Sequence, residues 1–510
     1  MNRYIKIQAV MLIALLGFGF QSCEDFLEKN PLSAVSSETF WRNDEDAKNA
    51  LAGVYQTLVT GNYTIGFGGL RTQIDGLSDD GYGNASWPGS FNIPQSGDIT
   101  PTTGGVVRDY YSIPYKGIAI CNYYLNNIDR VPEIDVTLKE KYVAEVRFIR
   151  AWHYATLLQM FGGVVLVPEE VTLSDAYLPR SSREETMNYI ISDLDKAIEN
   201  LPNESYAGRA VRGSAQGLKM RVLLYEQQWE AAAAIGQQII SEGTFSIASD
   251  WAGIFDGTSQ EGNSEIMFSI AFEAPNMRHE YDRMYGDWGS CAPLWDLVNE
   301  FECVDGQDIE SSPLYDPAKP FINRDPRMEL TVIHVGENRP YYNVPLEAGE
   351  KPTNFLWQKG LFLDQTPPSS ASNNDQDMVL IRYADILLMY AEALNEASGP
   401  SAEGLAAVNE VRARPGINMP AVAGVSSQEE MRKVIAHERR VELAGEGLRF
   451  FDIKRWNVAH ILIPQEIIPG SITELTPNGV HRVFNQKQYL WPIPQTEIDQ
   501  NPLLDQNPGY

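Results

Sequence analysis

Two stretches, residues 214–242 and 383–414, each read as a helix, a brief turn and a second helix, and no other feature limits the fold of this chain so strongly. In the first, a helix ends near Tyr225, Gln227-Gln228 supplies the turn, and Trp229 opens an alanine-rich helix. Small residues at Ala232, Ala233 and Ala234 let the paired helices approach closely; Ala391, Ala393, Ala406 and Ala407 serve the second hairpin in the same way. Hairpins of this tetratricopeptide type predict a mainly α scaffold.

Other segments extend that scaffold. A helix is expected near residues 44–58. Another, over residues 139–161, is apolar on almost every side after Phe148 and should be buried, with Gly162-Gly163 ending it. Ser182 and Glu185 form a capping box for the next helix. There Met187, Ile190, Ile191, Leu194, Ile198 and Leu201 make one apolar stripe, closed by Pro202. Between the hairpins, Ile266, Phe268, Ile270 and Phe272 alternate with the period of a strand. Two regions break the helical pattern: residues 60–106, rich in Gly, Ser, Thr, Asn and Pro, and residues 273–377, loop-rich and dense in aromatic rings. Unstructured runs of that length inside a domain tend to be functional. On size alone, 510 residues suffice for two to four domains.

The N-terminus has the layout of an export signal: Arg3 and Lys6, then an apolar run from Ala9 to Phe20. That run is shorter than the roughly 20 apolar residues a membrane-spanning helix needs. Cys23 follows at the cut point, so residues 1–22 are expected to be removed and Cys23 acylated, with residues 23–40 as a polar tether. The formal net charge of −28 repels nucleic acid and an anionic lipid surface alike. Membrane attachment must therefore come from acyl chains, each buried methylene contributing ~0.8 kcal/mol. Cys121, Cys291 and Cys303 are too few for a disulfide scaffold and read as buried single thiols, although Cys291 and Cys303 lie close enough in sequence to pair.

Motifs for catalysis are missing from the sequence. His437-Glu438 resembles half of a zinc-protease motif, but Val441 stands where the second histidine belongs. Gly66-Phe67-Gly68-Gly69 has no strand–helix unit around it, and Asp305 to Asp308 lacks the ligand spacing of a calcium loop. No catalytic residue, cofactor or metal is expected. Glu438, Arg439, Arg440, Glu442 and Glu446 fall on one expected helix, with Arg449, Asp452 and Arg455 just beyond. Spacings of three, as in Arg439–Glu442 and Arg449–Asp452, predict ion pairs along a helix face.

Eight segments, taken in order, resemble the SusD/RagB-like nutrient-binding outer-membrane lipoproteins of Gram-negative bacteria. They are "CEDFLEKNP", "FWRNDEDAKNALAGVY", "AEVRFIRAWHYATLLQMFGGVVLV", "SAQGLKMRVLLYEQQWEAAAA", "RDPRMELTV", "RYADILLMYAEALNEASG", "HERRVELAGEGLRFFDIKRW" and the C-terminal "YLWPIPQTEIDQNPLLDQNPGY". The main departure is Phe20-Gln21-Ser22, a loose match to a lipobox. The resemblance implies a single α-rich domain over residues 41–510, with tetratricopeptide-like helix pairs and loop-rich insertions carrying a few short strands. It also implies a cell-surface, lipid-anchored protein of the outer membrane that captures a glycan or related nutrient, with an oligosaccharide or polysaccharide as the expected ligand. Such proteins pass their ligand to a SusC-like TonB-dependent transporter without cleaving it, and Glu24-Asp25 behind Cys23 looks like their surface-export signal.

A sugar presents C–H faces to aromatic rings and hydroxyl edges to amides, carboxylates and guanidiniums. Both insertions have that mixture. In the first, Asp80, Tyr82, Asn84 and Trp87 are interleaved with glycines, with Arg71 nearby; in the second, Tyr281, Tyr285 and Trp288 stand among Arg278, Asp282, Arg283 and Asp287. These aromatic and polar residues are the expected ligand contacts. Two other readings stay open at this level: a surface glycoside hydrolase, and a purely protein-binding helical-repeat scaffold.

Overall fold

The computed structural model describes residues 40–59, 74–83, 99–170, 172, 175, 177–338, 344–351, 353–361, 374–463, 466–467 and 480–510. The expected leader, Cys23, the tether up to residue 39, and Arg71, Asn84 and Trp87 lie outside these residues.

The fold is mainly α. Helix α1 (Asp44–Val59) is followed by the short strand β1 (Gly81–Gly83), then by α2 (Val106–Asn127), α3 (Val136–Phe161), α4 (Arg183–Asn200), α5 (Arg212–Tyr225) and α6 (Trp229–Glu242). The second insertion begins after β2 (Ile266–Ile270) and contains β3 (Cys291–Pro293), α7 (Trp295–Glu300), α8 (Pro326–Thr331), β4 (Val332–His334) and β5 (Phe355–Trp357). Strand β6 (Met378–Arg382) leads into α9 (Tyr383–Ser398), α10 (Ala402–Arg412), α11 (Gln428–Glu442) and α12 (Arg449–Arg455).

The helix boundaries follow from local chemistry. Asp135 accepts from the Leu138 amide to cap α3, and Gly162 takes a positive φ of 76° just past its end. At α4, Ser182 Oγ accepts from the Glu185 amide at 3.1 Å while Glu185 returns the bond to the Ser182 amide at 2.7 Å. Both hairpins form as expected, α5 with α6 and α9 with α10. Their packing faces are narrower than the alanine runs suggest: Ala232, Ala233, Ala391, Ala393 and Ala407 are buried, whereas Ala234 and Ala406 face solvent. One turn of a helix holds 3.6 residues, so three consecutive alanines cannot all face one partner. Gly236 makes the closest approach instead, since a Cβ there would lie 2.7 Å from Met220 and 2.8 Å from Tyr390.

Helices α1, α2 and α3 meet at His153, which is wholly buried in α3. Thr57 Oγ1 already donates to the Val54 carbonyl, so His153 Nε2, 2.8 Å away, is the donor to that hydroxyl. Burial pushes the imidazole down to about 3, keeping it neutral. Gly117 of α2 lies against this ring, and a Cβ there would sit 2.2 Å from Nε2. Gly117→Ala is expected to lower stability by about 1–3 kcal/mol through overpacking, read as a shifted urea midpoint. A variant as stable as the parent would refute this close approach.

Strand β2 pairs antiparallel with β6, Ile266 opposite Arg382 and Ile270 opposite Met378. The expected alternation of buried and exposed residues does not hold, because Met267 and Ser269 are buried too. Phe268 packs edge-on against Phe148 of α3 at 4.7 Å, so helices cover the strand. The second insertion is more ordered than its composition predicts. Its rings build a separate small core that includes Tyr285, Trp295, Phe355 and Trp357, closed by Val441 and Ala444 at the end of α11. Cys121, Cys291 and Cys303 are buried free thiols.

Candidate functional site

The two insertions meet. Strand β1 from the first pairs antiparallel with β3 from the second, Gly81 opposite Pro293, Tyr82 opposite Ala292 and Gly83 opposite Cys291. The Leu294 amide extends the contact to the Asp80 carbonyl at 2.8 Å. Glycine is required where this segment folds back on itself: a Cβ at Gly81 would lie 2.8 Å from the Asp75 carbonyl oxygen.

Charged side chains from the C-terminal part hold β1 in place. Arg440 donates to Asp80 at 2.6 Å, to Asp296 at 2.7 Å and to Glu300 at 2.9 Å. Arg449 donates to both carboxylate oxygens of Asp79 through Nη2 and Nε, at 2.7 and 2.9 Å, and Asp75 accepts from the Gly447 amide at 2.8 Å. Burial opposes ionisation of Asp79, yet Arg440 and Arg449 hold its carboxyl well below the usual range. Burial pushes Asp80 up to about 6, against the pull of Arg440 and with the neighbouring Asp79 charge adding to the rise.

These placements correct three of the expected ligand contacts. Asp80 is wholly buried and spent on Arg440, Tyr82 is buried in the β1–β3 pair, and Tyr285 is buried in the second core. The expected ion pairs along one helix are also corrected. Helix α11 ends at Glu442, and Glu446 lies beyond it, between Gly445 and Gly447, both at positive φ. Arg439 reaches Asp385 and Asp452, each at 2.9 Å, and Arg449 reaches Asp79. Buried arginines satisfy themselves across elements, where carboxylates are also shielded from water.

Among the described residues of the expected set, Trp288 is the one that keeps a large exposed surface, at 39%. It closes a tight turn of residues 283–287, its amide donating to the Arg283 carbonyl at 2.8 Å, and Gly289 follows at φ 62°. The turn is anchored from below. Tyr285 stacks on Tyr281 with centroids 4.4 Å apart and planes within 18°, and the Tyr281 hydroxyl donates to the Lys359 carbonyl at 3.1 Å. Asp282 accepts from Asn374 at 2.6 Å and from Gln376 at 2.9 Å. Above it, the Arg283 guanidinium lies 5.8 Å from the centre of the indole and its charge is balanced by Glu280 at 3.7 Å. An aromatic ring held in one orientation on an ordered turn loses little entropy when a ligand stacks on it.

Tyr281 also lines a narrow cleft with His279, Lys359, Gln376, Asp377 and Glu446. At about 50 Å³ this cleft is too small for a sugar ring. Burial lowers His279 to about 4, and Lys359 to about 8 despite the Glu446 carboxylate beside it. The sequence carried a signal for His279, which sits inside the same aromatic run, but none for Lys359 or Gln376, which approach from more distant segments. Among the described residues, no cluster of His, Cys, Asp and Glu is arranged to hold a metal ion, and no helix is long and apolar enough to cross a membrane.

Comparison with known proteins gives a consistent result. A profile of the SusD family matches residues 251–510, and one described as starch-binding associating with outer membrane matches residues 25–224. The chain is 29% identical over 545 residues to the SusD-like protein P38 of Formosa agariphila, covering 100% of both chains. A SusD-like carbohydrate binding protein of Bacteroides fragilis superposes with a TM-score of 0.82 at 26% identity, over 92% of this chain and 100% of that one. A second SusD-like protein of Bacteroides fragilis gives 0.79 at 26% identity, over 94% of this chain and 100% of its own.

Proposed function

This chain belongs to the SusD family, and on that premise we propose that it is a non-catalytic receptor that binds a glycan on a surface centred on Trp288. The observation that carries this reading is the exposed indole, held on an ordered turn beside the junction of the two insertions. Asn84 follows Gly83 directly in sequence and Trp87 comes four residues after it, and Gly83 is paired with Cys291, three residues after Trp288. They and Arg71 remain proposed contacts. Tyr281 serves through its stack on Tyr285. An open platform suits a polymer, which can run across it, better than the small cleft beside Tyr281 does.

The same reading places the mature protein on the outer membrane, anchored through acylated Cys23, with a SusC-like TonB-dependent transporter as its partner. Family descriptions that pair starch binding with the outer membrane support it. Co-purification in mild detergent tests the partner.

Gel retardation against a panel of polysaccharides tests the site. Trp288→Ala is expected to lower affinity for the retarding glycan by about tenfold, equivalent to about 1.4 kcal/mol, with unchanged thermal stability. Equal retardation of variant and parent would place the site elsewhere. Sustained release of new reducing ends from the polysaccharide, abolished by one carboxylate substitution, would turn the reading into a hydrolase.

A further inference from the structure

Where helix α11 meets the end of α7, one imidazole stands between two carboxylates. His437 Nδ1 lies 2.9 Å from Glu300 Oε1, and Nε2 lies 3.4 Å from Glu302 Oε1. Glu300 is the last residue of α7, and Phe301, between the two acids, is buried in the second core.

Both acids are pinned in place. The second oxygen of Glu300 accepts from Arg440 at 2.9 Å, and that of Glu302 accepts from Arg412 at 2.7 Å. Ionised carboxylates accept hydrogen bonds and donate none. A neutral imidazole has one N–H and one lone pair, so it can satisfy one of these acids while turning a lone pair toward the other. An imidazolium donates to both. Nδ1 makes the hydrogen bond to Glu300, whereas Nε2 has no hydrogen-bond partner among the described residues and stands at ion-pair distance from Glu302.

We propose that His437 is a proton-operated clasp: its charged form ties α11 to Glu300 and Glu302 together, and its neutral form releases Glu302. The clasp closes the base of a long loop. There Cys303 bridges Arg324, the Val304 amide donates to the Asn323 carbonyl at 2.9 Å, and the Asp325 amide donates to the Glu302 carbonyl at 2.8 Å. Strand β3 leads almost directly into α7, and Glu300 is shared with Arg440, so the clasp also braces the β1–β3 junction.

The surroundings favour the charged form. Glu300 and Glu302 from the α7 segment, Asp308 from the loop and Glu438 on α11 act on the ring. Arg440 and Arg412 oppose it only through acids they already bind, and Lys433, one turn earlier on α11, is exposed. Burial resists charging of His437, but the Glu300 hydrogen bond, and then the charges of Glu300, Glu302 and Glu438, raise it above the ordinary histidine value. Its side chain keeps 22% of its surface exposed, so solvent can exchange the proton. A histidine raised in this way contributes stability that is complete below the unfolded value of about 6.5 and is lost as the pH rises through the folded one.

Two measurements on the full mature chain test the proposal. In NMR of isotope-labelled histidine, the His437 signal, assigned by its loss in His437→Gln, should titrate with a midpoint above about 6.5. Hydrogen-exchange protection factors at the Val304 and Asp325 amides, corrected for intrinsic exchange, should fall about three- to tenfold between about pH 6 and about pH 8.5. Asp80 and Lys359 titrate in neighbouring ranges, at about 6 and about 8, so the variant decides the source. His437→Gln, which has no titrating proton, should abolish the fall at both amides. The proposal is overturned if the His437 midpoint lies at or below about 6.5, if protection in the parent does not change with pH, or if the variant keeps the parent's pH dependence.

Discussion

Glu442→Ala is expected to remove about 3–5 kcal/mol of stability, a large share of the roughly 5–15 kcal/mol that holds a typical domain together. The Glu442 carboxylate accepts from Arg382 at 2.7 Å, Arg414 at 2.8 Å, Arg327 at 2.9 Å and the Trp251 indole at 3.2 Å. The three arginines come from the end of β6, the segment after α10, and α8 in the second insertion, and all three side chains are buried. Removing the carboxylate leaves their positive charges facing one another with fewer acids to share: Glu265 and Glu446 for Arg382, Glu265 for Arg414, and Asp325 and Glu438 for Arg327. Glu442→Gln, which keeps an acceptor but loses the charge, should fall between variant and parent in urea denaturation.

The pH dependence follows with a definite sign. Burial opposes ionisation of Glu442, but the surrounding arginines hold its carboxyl well below the ordinary glutamate range. Its contribution is present above the unfolded-state value of about 4.3 and is lost as the pH falls below it. The parent should lose stability on acidification more steeply than Glu442→Gln. A parent and alanine variant within about 1 kcal/mol of each other would show that the network is not what locks these elements together.

Arg440→Met is the second large effect, and it connects scaffold to site. Its guanidinium is the clamp between α11 and the β1 segment, binding Asp80, Asp296 and Glu300. Methionine can fill much of the space, but among the described residues Asp80 would be left with only Arg449, at 3.9 Å, as an ion-pair partner. The cost of stranding that carboxylate is about 3–5 kcal/mol when it stays ionised, and less when it takes up a proton. The β1–β3 pairing should loosen first, because it is short and held at one side by this clamp. Hydrogen exchange reads this directly: the Leu294 amide, bonded to the Asp80 carbonyl, should lose protection. Glycan retardation should weaken as well, since Trp288 stands just before β3. Unchanged protection at Leu294 would show that Arg440 does not govern this junction.

Much of the helical scaffold was legible because its signals are local. The Ser182–Glu185 box, Gly162 behind α3 and the start of α6 at Trp229 each depend on a few neighbouring residues. The regions read as irregular were less legible. A glycine-rich stretch with Asp79, Asp80 and Tyr82 looks like a solvated loop, and nothing near it in sequence reveals that Arg440 and Arg449, some 360 residues away, draw it into the interior. The same holds for Tyr285, which sits three positions from Trp288 and shares its chemistry. One ring became core and the other surface because β5 and the end of α11 pack over the first.

What the sequence determined by itself was therefore the helical content, the two hairpins, the family and the two regions that break the helical pattern. Those properties rest on periodicity, caps and motif order, which each segment carries with it. Tertiary structure decided which arginine meets which carboxylate and which aromatic ring keeps an open face. Exposure and ion pairing are set by neighbours brought together from distant segments, and a side chain's type does not record which neighbours those are.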